Sequence, residues 1–302
     1  MVEGWEWDAT LFAGAAEHYA RGRLPYAPGL AAAIGAALRL DGTGRLLDVG
    51  CGPGTVVLGA AALGVSGAAG SDGLVGWFDA AVGVDPDAGM IGAAARAARR
   101  AGVADRTRWE CLRAEQLPGG LGTFDVVVFA QSFHWTDRAR MASTVRGMLR
   151  PGGALVHIAD RKGGAGLPGG LPAPVPPQDG IARLVREFLG PLRRAGQGVL
   201  RDGTPGGEAE ILAAAGFRGP QRLLVPGGQV LERNEDDVVA GVLSMSFSAP
   251  HLFGPRLPEF ESRLRALLRE TSPGGRFAVR QPDTEVAIWR PDGRTTPGAT
   301  GR

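Results

Sequence analysis

A glycine-rich loop at residues 46–55 is the stretch of the chain best suited to chemistry, and it reads LLDVGCGPGT. Glycines in such a loop permit positive φ angles and let a ligand approach the backbone with no Cβ in the way. A dinucleotide-binding loop has the spacing GxGxxG and lays a pyrophosphate on the N-terminus of the next helix. Here the third glycine, Gly54, comes one position earlier, and Thr55 stands where that motif requires glycine. The spacing GxGxG, which begins two residues after Asp48, is therefore a different pattern.

More polar and aromatic side chains follow two other apolar runs. Asp85 ends the run at 80–84, and the segment QSFHW at 131–135 follows the run at 124–130. Open α/β sheets bind ligands at the carboxyl ends of their parallel strands. If both runs are strands, we expect these side chains and the glycine-rich loop at one edge of the sheet.

Strands and helices alternate among the elements that must position these residues. Apolar runs and helical patterns predict strands at 46–49, 80–84, 107–112, 124–130 and 154–159, and helices at 30–40, 87–101 and 136–149. The run at 124–130 is apolar on both faces, which suits a central parallel strand covered on both sides. Strands that alternate with helices form βαβ units with right-handed crossovers. We therefore predict a Rossmann-like, doubly wound α/β fold.

Composition and charge narrow the class of protein. The 302 residues include 33 basic and 31 acidic side chains, so no strong field attracts nucleic acid or an anionic membrane. Two cysteines are too few for a disulfide framework or a zinc quartet, and we predict no metal site. The N-terminus lacks a secretory pattern, and the apolar run at 30–38 is too short to cross a bilayer. We expect a soluble cytoplasmic protein, either monomeric or homodimeric.

Four segments in order resemble the motifs of class I S-adenosylmethionine-dependent methyltransferases. They are LLDVGCGPGT at 46–55, VGVDPD at 82–87, LRAEQLP at 112–118 and LRPGGAL at 149–155. A narrower resemblance, to the ubiquinone/menaquinone- and trans-aconitate-type small-molecule methyltransferases, rests on HYAR at 18–21, Pro25–Tyr26, QSFHW at 131–135 and SPGGRF at 272–277. The sequence departs from the family pattern at Arg113, because many members of the family carry aspartate at this position. The adenine amino group would then be recognised by backbone alone.

The resemblance implies S-adenosyl-L-methionine as cofactor and S-adenosyl-L-homocysteine as its product. Asp48 would order the loop and reach the methionine amino group, directly or through water. Asp85 would hold both ribose hydroxyls by charge-assisted hydrogen bonds, which are about twice as strong as neutral ones. The residues implied for the cofactor are Tyr19, Arg23, Asp48, Gly50, Cys51, Gly52, Asp85, Pro86, Met90, Ala114, Glu115 and Gln131. The alternative interpretations are a turn residue for Asp48, a helix N-cap for Asp85 and a surface arginine for Arg23.

The activity that the resemblance implies is transfer of a methyl group, in line, to a small-molecule acceptor. Phe133, His134 and Trp135 would line the acceptor pocket. If the acceptor nucleophile must lose a proton, His134 is the candidate general base, since imidazole titrates near neutral pH. The resemblance leaves the identity of the acceptor open.

The whole chain is expected to form one methyltransferase domain. Its predicted parts are an N-terminal helical cap (1–40), a cofactor-binding core (41–161), a lid and helix (162–200), the C-terminal part of the sheet (201–290) and a tail (291–302). Strands predicted at 218–225 and 277–289 complete a mostly parallel seven-stranded sheet with an antiparallel edge strand, and another helix is predicted at 257–270.

Two glycine-rich stretches interrupt the alternation of strands and helices. Residues 64–76 look like an insertion, to which we assign no role. Residues 162–180 are mostly Gly, Pro and Ala, a composition typical of a lid or of a linker. As a lid, they would cover the acceptor pocket, with a helix at 181–195 as its wall.

Three other functions compete with this prediction. A nicotinamide oxidoreductase is disfavoured by Thr55 and by the absence of a Tyr-x-x-x-Lys pair, because the only lysine is Lys162. A nucleic-acid or protein methyltransferase would share the fold, but residues 130–135 read AQSFHW rather than the [Asp/Asn]-Pro-Pro-Tyr used for base-amino methylation. A non-catalytic cofactor-binding protein is the third alternative.

Overall fold

The computed structural model describes residues 10, 12, 14–63, 72–161, 171–191, 193–195, 198–200 and 206–293. Lys162, parts of the insertion predicted at 64–76 and of the lid predicted at 162–180, and most of the predicted tail lie outside these residues.

The structure has a strand at each position where the sequence predicts one, but the strand predicted at 277–289 is divided into two. The described strands are β1 Arg45–Val49, β2 Ala80–Asp85, β3 Thr107–Cys111, β4 Phe124–Ala130, β5 Leu149–Asp160, β6 Arg193–Ala195, β7 Gly198–Leu200, β8 Phe217–Val225, β9 Val230–Asn234, β10 Arg276–Arg280 and β11 Thr284–Pro291. The helices are α1 Ala16–Gly22, α2 Leu30–Leu38, α3 Thr55–Leu58, α4 Ala88–Arg100, α5 Arg138–Met148, α6 Gln178–Leu189, α7 Glu208–Ala214, α8 Glu235–Leu243, α9 Pro250–Phe253 and α10 Leu257–Thr271. Short 3-10 turns lie at Leu74–Trp77, Ala104–Arg106, Ala114–Gln116, Phe133–Trp135 and Gly254–Arg256.

Seven strands form one mixed sheet in the order β3-β2-β1-β4-β5-β11-β8. Strands β1 to β5 pair in parallel, and β11 is antiparallel to both β5 and β8. This architecture confirms the predicted Rossmann-like, doubly wound α/β fold. The antiparallel strand, however, lies one place in from the edge, and β8 is the edge strand.

Both faces of the sheet are covered by apolar layers. Successive residues of β4 alternate between them: Val126 and Val128 pack on the α2 side, whereas Val127 and Phe129 pack on the α5 side. The alternation follows from the two-residue repeat of a strand. Burial on both faces explains why the sequence of β4 is continuously apolar.

The predicted strand at 277–289 is wrong in extent, because the chain breaks after Arg280. Gln281 is buried and its side chain donates to the carbonyl oxygens of Pro25 and Tyr26, at 3.1 and 2.7 Å. Pro282 follows and has no N–H to donate to a ladder. The segment before the break, β10, pairs instead with β9 in a separate two-stranded sheet.

The helix predicted at 181–195 has different bounds in the structure, and it does not lie at the cleft as predicted. It starts at Gln178 and ends at Leu189, because Gly190 adopts a φ of +83° and Pro191 follows. Its apolar stripe of Ile181, Leu184 and Val185 packs into a third cluster with residues of α8, α9 and α10. No described residue of 171–191 lines the cleft reported below. The helix is therefore not the predicted wall of that cleft, since a neighbouring helical cluster covers its apolar face.

The N-terminal helix α1 is held against α8 by close backbone packing. A Cβ at Gly22 would collide with the backbone of Ala240 and Gly241. The Arg21 Nε donates to Asp237 Oδ1 at 2.8 Å, and the buried Arg233 donates to the Arg21 carbonyl oxygen. Helix α8 thus places α1, and with it Tyr19, beside the carboxyl edge of the sheet.

The described helices have a further property that bears on membrane association. None of them combines the length and the apolar character that a bilayer crossing needs.

Gly83 in β2 leaves room for the ring of Trp109 on the neighbouring strand β3. This close packing predicts the effect of a substitution on stability. A Cβ at position 83 would collide with the ring of Trp109 and lie 2.9 Å from Cys51 Sγ. We expect Gly83→Ala to lower the free energy of unfolding by about 1–3 kcal/mol, the usual cost of overpacking. Urea denaturation measures this change.

The matched control is Gly147→Ala. Gly147 lies in α5, and an added Cβ would have no neighbour within 4 Å. This variant should be more stable by about 0.5–1 kcal/mol, because alanine loses less backbone entropy in a helix. An unchanged denaturation midpoint for Gly83→Ala would contradict the packing argument.

Candidate functional site

A cleft of about 710 Å³ opens at the carboxyl edge of the sheet. It lies where the strand order reverses between β1 and β4, the position at which open α/β sheets bind ligands. The lining residues are Phe12, Tyr19, Val49, Gly50, Gly52, Asp85, Pro86, Met90, Leu112, Ala114, Glu115, Ala130, Gln131, Ser132, Trp135 and Thr136.

The glycine-rich loop forms the floor of the cleft, and its own N–H groups are used within the protein. The amides of Gly50 and Cys51 both donate to the Val84 carbonyl oxygen, at 2.8 and 3.0 Å. The Gly52 amide donates to Asp85 Oδ2 at 2.9 Å. Gly50 and Gly52 have φ angles of +71° and +53°, and a Cβ at Gly50 would lie 2.6 Å from Ser132 Cβ. The loop therefore offers a ligand a surface without side chains rather than N–H donors.

Asp85 projects into the cleft from the end of β2. Its Oδ2 accepts from Gly52 and its Oδ1 accepts from the Asp87 amide at 3.0 Å. Asp87, not Asp85, caps helix α4, with its Oδ1 accepting from the Met90 amide at 2.9 Å. Burial raises the pKa of Asp85 to about 6. Each carboxylate oxygen keeps a second lone pair, so Asp85 can accept two further hydrogen bonds from a ligand.

Asp48 lies beneath the cleft rather than on its surface. Its side chain is 1% exposed, and neither carboxylate oxygen has a hydrogen-bond partner among the described residues. Burial, together with the negative charge of Asp85, raises its pKa to about 8. An unpartnered buried carboxylate is costly. Such a group fits a site that receives a cationic ligand, which S-adenosylmethionine is.

Glu115 lies at the side of the cleft formed after β3. It is buried in the 3-10 turn Ala114–Gln116, and its Oε1 accepts from the Asp137 amide at 3.1 Å. The Glu115 carbonyl oxygen accepts from Arg140 Nη2 at 2.8 Å. These bonds connect the turn to the start of α5 and hold it in place. Apolar side chains of Pro86, Met90 and Leu112 line the same part of the cleft.

Tyr19 forms the opposite wall, and Arg23 stands behind it. The Arg23 guanidinium lies 4.9 Å from the centre of the Tyr19 ring, and its Nη2 donates to the Ser244 carbonyl oxygen at 3.2 Å. Cys51 is buried beneath the loop, and burial raises the pKa of its thiol. The structure thus brings most of the predicted cofactor residues to the cleft surface, but it places Arg23, Asp48 and Cys51 behind that surface.

Of the three residues predicted for the acceptor, the structure brings Trp135 alone into the lining. Phe133 is 3% exposed and packs in the hydrophobic core against Phe129, at 5.1 Å between ring centroids. His134 lies beside Trp135, at 4.9 Å between centroids, and is not a lining residue. The 3-10 turn directs these consecutive side chains to different sides.

Several lining residues were missed by the sequence analysis. They are Phe12, Val49, Leu112, Ala130, Ser132 and Thr136. Val49 and Ala130 are the last residues of β1 and β4, and Leu112 follows β3, so the carboxyl-edge rule could have identified them. For Phe12 the sequence carries no comparable signal.

The buried Asp48 generates a prediction about stability. In the folded protein its pKa is about 8, above the value of about 3.9 for an unfolded aspartate. Its contribution to stability is therefore complete below about pH 4 and falls as the pH rises toward 8. We expect Asp48→Asn to raise the melting temperature of the ligand-free protein more at pH 8 than at pH 5. Calorimetry at the two pH values tests this, and an equal gain at both would contradict it.

We compared the chain with protein-family models, curated proteins and solved structures. Residues 46–153 match the family model described as a methyltransferase domain. No curated protein is significantly similar to the chain. Among solved structures, YjhP from E. coli is 16% identical with a TM-score of 0.51, over 93% of this chain and 99% of that one.

A second solved structure is a methyltransferase from Geobacter sulfurreducens in complex with S-adenosyl-L-homocysteine. It is 19% identical with a TM-score of 0.48, over 93% of this chain and 97% of that one. At these identities the similarity to solved structures concerns the fold. The family match, on the segment that carries the glycine-rich loop and Asp85, shows that residues 46–153 form an S-adenosylmethionine-dependent methyltransferase domain.

Proposed function

We propose that the cleft binds S-adenosylmethionine and that the methyl group passes to a small-molecule acceptor, as in the branch that the sequence resembles. The observation that carries the proposal is Asp85, a buried carboxylate on the cleft surface that is not used as a helix cap. It would accept both ribose hydroxyls. The adenine would lie toward Leu112, Ala114 and Glu115, and the methionine end toward Tyr19 and the glycine-rich loop.

The character of the lining supports a small, partly apolar acceptor. Among the described residues that line the cleft, the charged side chains are the acidic Asp85 and Glu115. Proteins bind nucleic acid chiefly through Lys and Arg contacts to phosphate. A lining of this charge would repel such a polymer, whereas Phe12, Trp135 and Met90 offer apolar surface to a small molecule.

The chain would contribute to catalysis mainly by holding the acceptor and the methyl group in the right positions. When bound, S-adenosylmethionine supplies a methyl group on a sulfonium, which an acceptor nucleophile attacks in line. Holding nucleophile and methyl carbon about 3–3.5 Å apart can supply roughly 7–11 kcal/mol of the barrier. The faces of Tyr19 and Trp135 can attract a cation by cation–π contact. His134 remains our candidate base for an acceptor that must lose a proton, and it would act from beside Trp135.

Asp85 is the residue whose replacement tests cofactor binding most directly. We expect Asp85→Ala to weaken binding of S-adenosylmethionine by about 2–4 kcal/mol, or about 30- to 1,000-fold, because two hydrogen bonds to a charged group are lost. Isothermal titration measures the affinity. The matched control is Asp87→Asn, two residues away, since asparagine caps a helix as well as aspartate does. A loss of less than about threefold in Asp85→Ala would assign the ribose to another residue.

The raised pKa of Asp85 sets the pH dependence of the same measurement. In the free protein this carboxyl titrates at about 6. Ribose hydroxyls bind the ionised form, so protonation competes with the cofactor and affinity falls as the pH drops below 6. The limiting slope is about tenfold per pH unit for one proton. In Asp85→Asn this dependence should disappear.

The acceptor class is tested with methyl-labelled S-adenosylmethionine and an extract of bacterial cells. After incubation, an ultrafiltration membrane separates protein and nucleic acid from small molecules. We expect the wild-type protein, and not Asp85→Ala, to produce a new labelled compound in the filtrate. Label found solely in retained macromolecules would refute the small-molecule proposal, and no transfer at all would favour a non-catalytic binding protein.

A further inference from the structure

A hydrogen bond beside the cleft joins two neighbouring strand ends. Gln131 follows β4 and Asp160 ends β5. The Gln131 Nε2 donates to Asp160 Oδ2 at 2.7 Å, and the Gln131 amide donates to the Ile158 carbonyl oxygen at 2.9 Å. Gln131 lines the cleft, whereas Asp160 does not. The bond therefore connects a residue of the cleft lining to a carboxylate outside that lining.

The backbone of Gln131 is in a conformation that side chains rarely adopt. Its φ is +55°, and the other non-glycine residue with positive φ in the described chain is Arg39, at a helix C-terminus. Such conformations persist where the surrounding structure holds them, and they cluster at functional sites. In this conformation Gln131 lines the cleft and its carboxamide reaches Asp160.

The bond also decides which end of the carboxamide faces Asp160. An ionised carboxylate accepts hydrogen bonds and cannot donate them, so the nitrogen must face Asp160 and the oxygen is left on the other side. Burial raises the pKa of Asp160, but the bond from Gln131 and the positive charge of Arg23 both favour its ionised form. The pair thus has one preferred orientation.

Gln131 lies at the part of the cleft proposed above for the methionine end of the cofactor. The next residue, Ser132, is the one that a Cβ on Gly50 would contact, and Gly52 faces Tyr19. An amide oxygen at this position attracts a sulfonium cation, whereas an amide NH₂ repels it. S-adenosylmethionine carries that cation, and S-adenosylhomocysteine carries a neutral thioether in its place.

We propose that Asp160 is a positioning residue that holds the Gln131 carboxamide oxygen toward the cleft, so that the site prefers S-adenosylmethionine to S-adenosylhomocysteine. The inference rests on the proposed binding of the cofactor in this cleft. Its consequence for turnover is that the neutral product is held less tightly than the cofactor that replaces it.

The test measures the dissociation constants of both ligands by isothermal titration at one fixed pH. In Asp160→Asn the neutral partner no longer enforces one orientation, and in Gln131→Met the oxygen is absent. We expect the ratio of the S-adenosylhomocysteine constant to the S-adenosylmethionine constant to fall about three- to tenfold in each variant, the effect of one hydrogen-bond-sized interaction. Most of the change should be weaker binding of S-adenosylmethionine.

The double variant and a charge control separate this mechanism from others. If Asp160 acts through Gln131, the double variant shows the same ratio as Gln131→Met. Asp41→Asn removes one negative charge from the exposed turn before β1 and should leave the ratio unchanged. Gln131→Met leaves the buried carboxylate in place, so it tests the proposal even if Asp160→Asn does not fold.

Three results would overturn the inference. An unchanged ratio in Gln131→Met means that the oxygen does not face the cation. Additive effects in the double variant mean that Asp160 acts by its charge and not through Gln131. A wild-type protein that binds neither ligand refutes the proposed function itself, and this outcome is distinct from binding of both ligands with an unchanged ratio in the variants.

Discussion

Two carboxylates are kept out of water side by side at the ends of neighbouring strands, and much of the surrounding structure exists to hold them there. Asp85 is stabilised by two backbone N–H groups, whereas Asp48 has no partner among the described residues. Burial raises the pKa of Asp48, and the negative charge of Asp85 raises it further. A cationic ligand, as proposed for this cleft, would offset this penalty.

The packing beneath the loop explains how the backbone reaches this arrangement. Trp109 on β3 fills the space left by the missing side chains of Gly54 and Gly83. Cys51 packs into the same region, and its amide shares the Val84 carbonyl oxygen with that of Gly50. A side chain at Gly83 would displace the ring or the loop. The glycines of this region therefore serve close packing as much as ligand access.

One wall of the cleft depends on the C-terminal half of the chain. Tyr19 lies on α1, which contacts α8 through Gly22 and through the ion pair between Arg21 and Asp237. Exposed ion pairs contribute little to stability, typically about 0–1 kcal/mol, so the backbone contact is the stronger constraint. Helix α8 in turn belongs to the third apolar cluster, which includes α6. The helical cluster thus serves the site by placing α1.

The sequence by itself determined the sheet and the loop, because both depend on local patterns. The apolar run of β4 and the spacing of glycines after β1 are properties of consecutive residues, and each segment could be predicted without its neighbours. These features sufficed to predict the fold, and the family resemblance implied most residues of the cleft.

The tertiary structure decided what depends on contacts between distant segments. Phe133 and His134 follow the same strand as Trp135, yet a single 3-10 turn sends Phe133 into the core. The apolar stripe of α6 predicts burial but not the partner, and the structure packs it against α8, α9 and α10. The pairing of Gln131 with Asp160 spans 29 residues and follows from the adjacency of β4 and β5. No local pattern encodes that adjacency at the level of side chains, because it is the sheet that brings the two strand ends together.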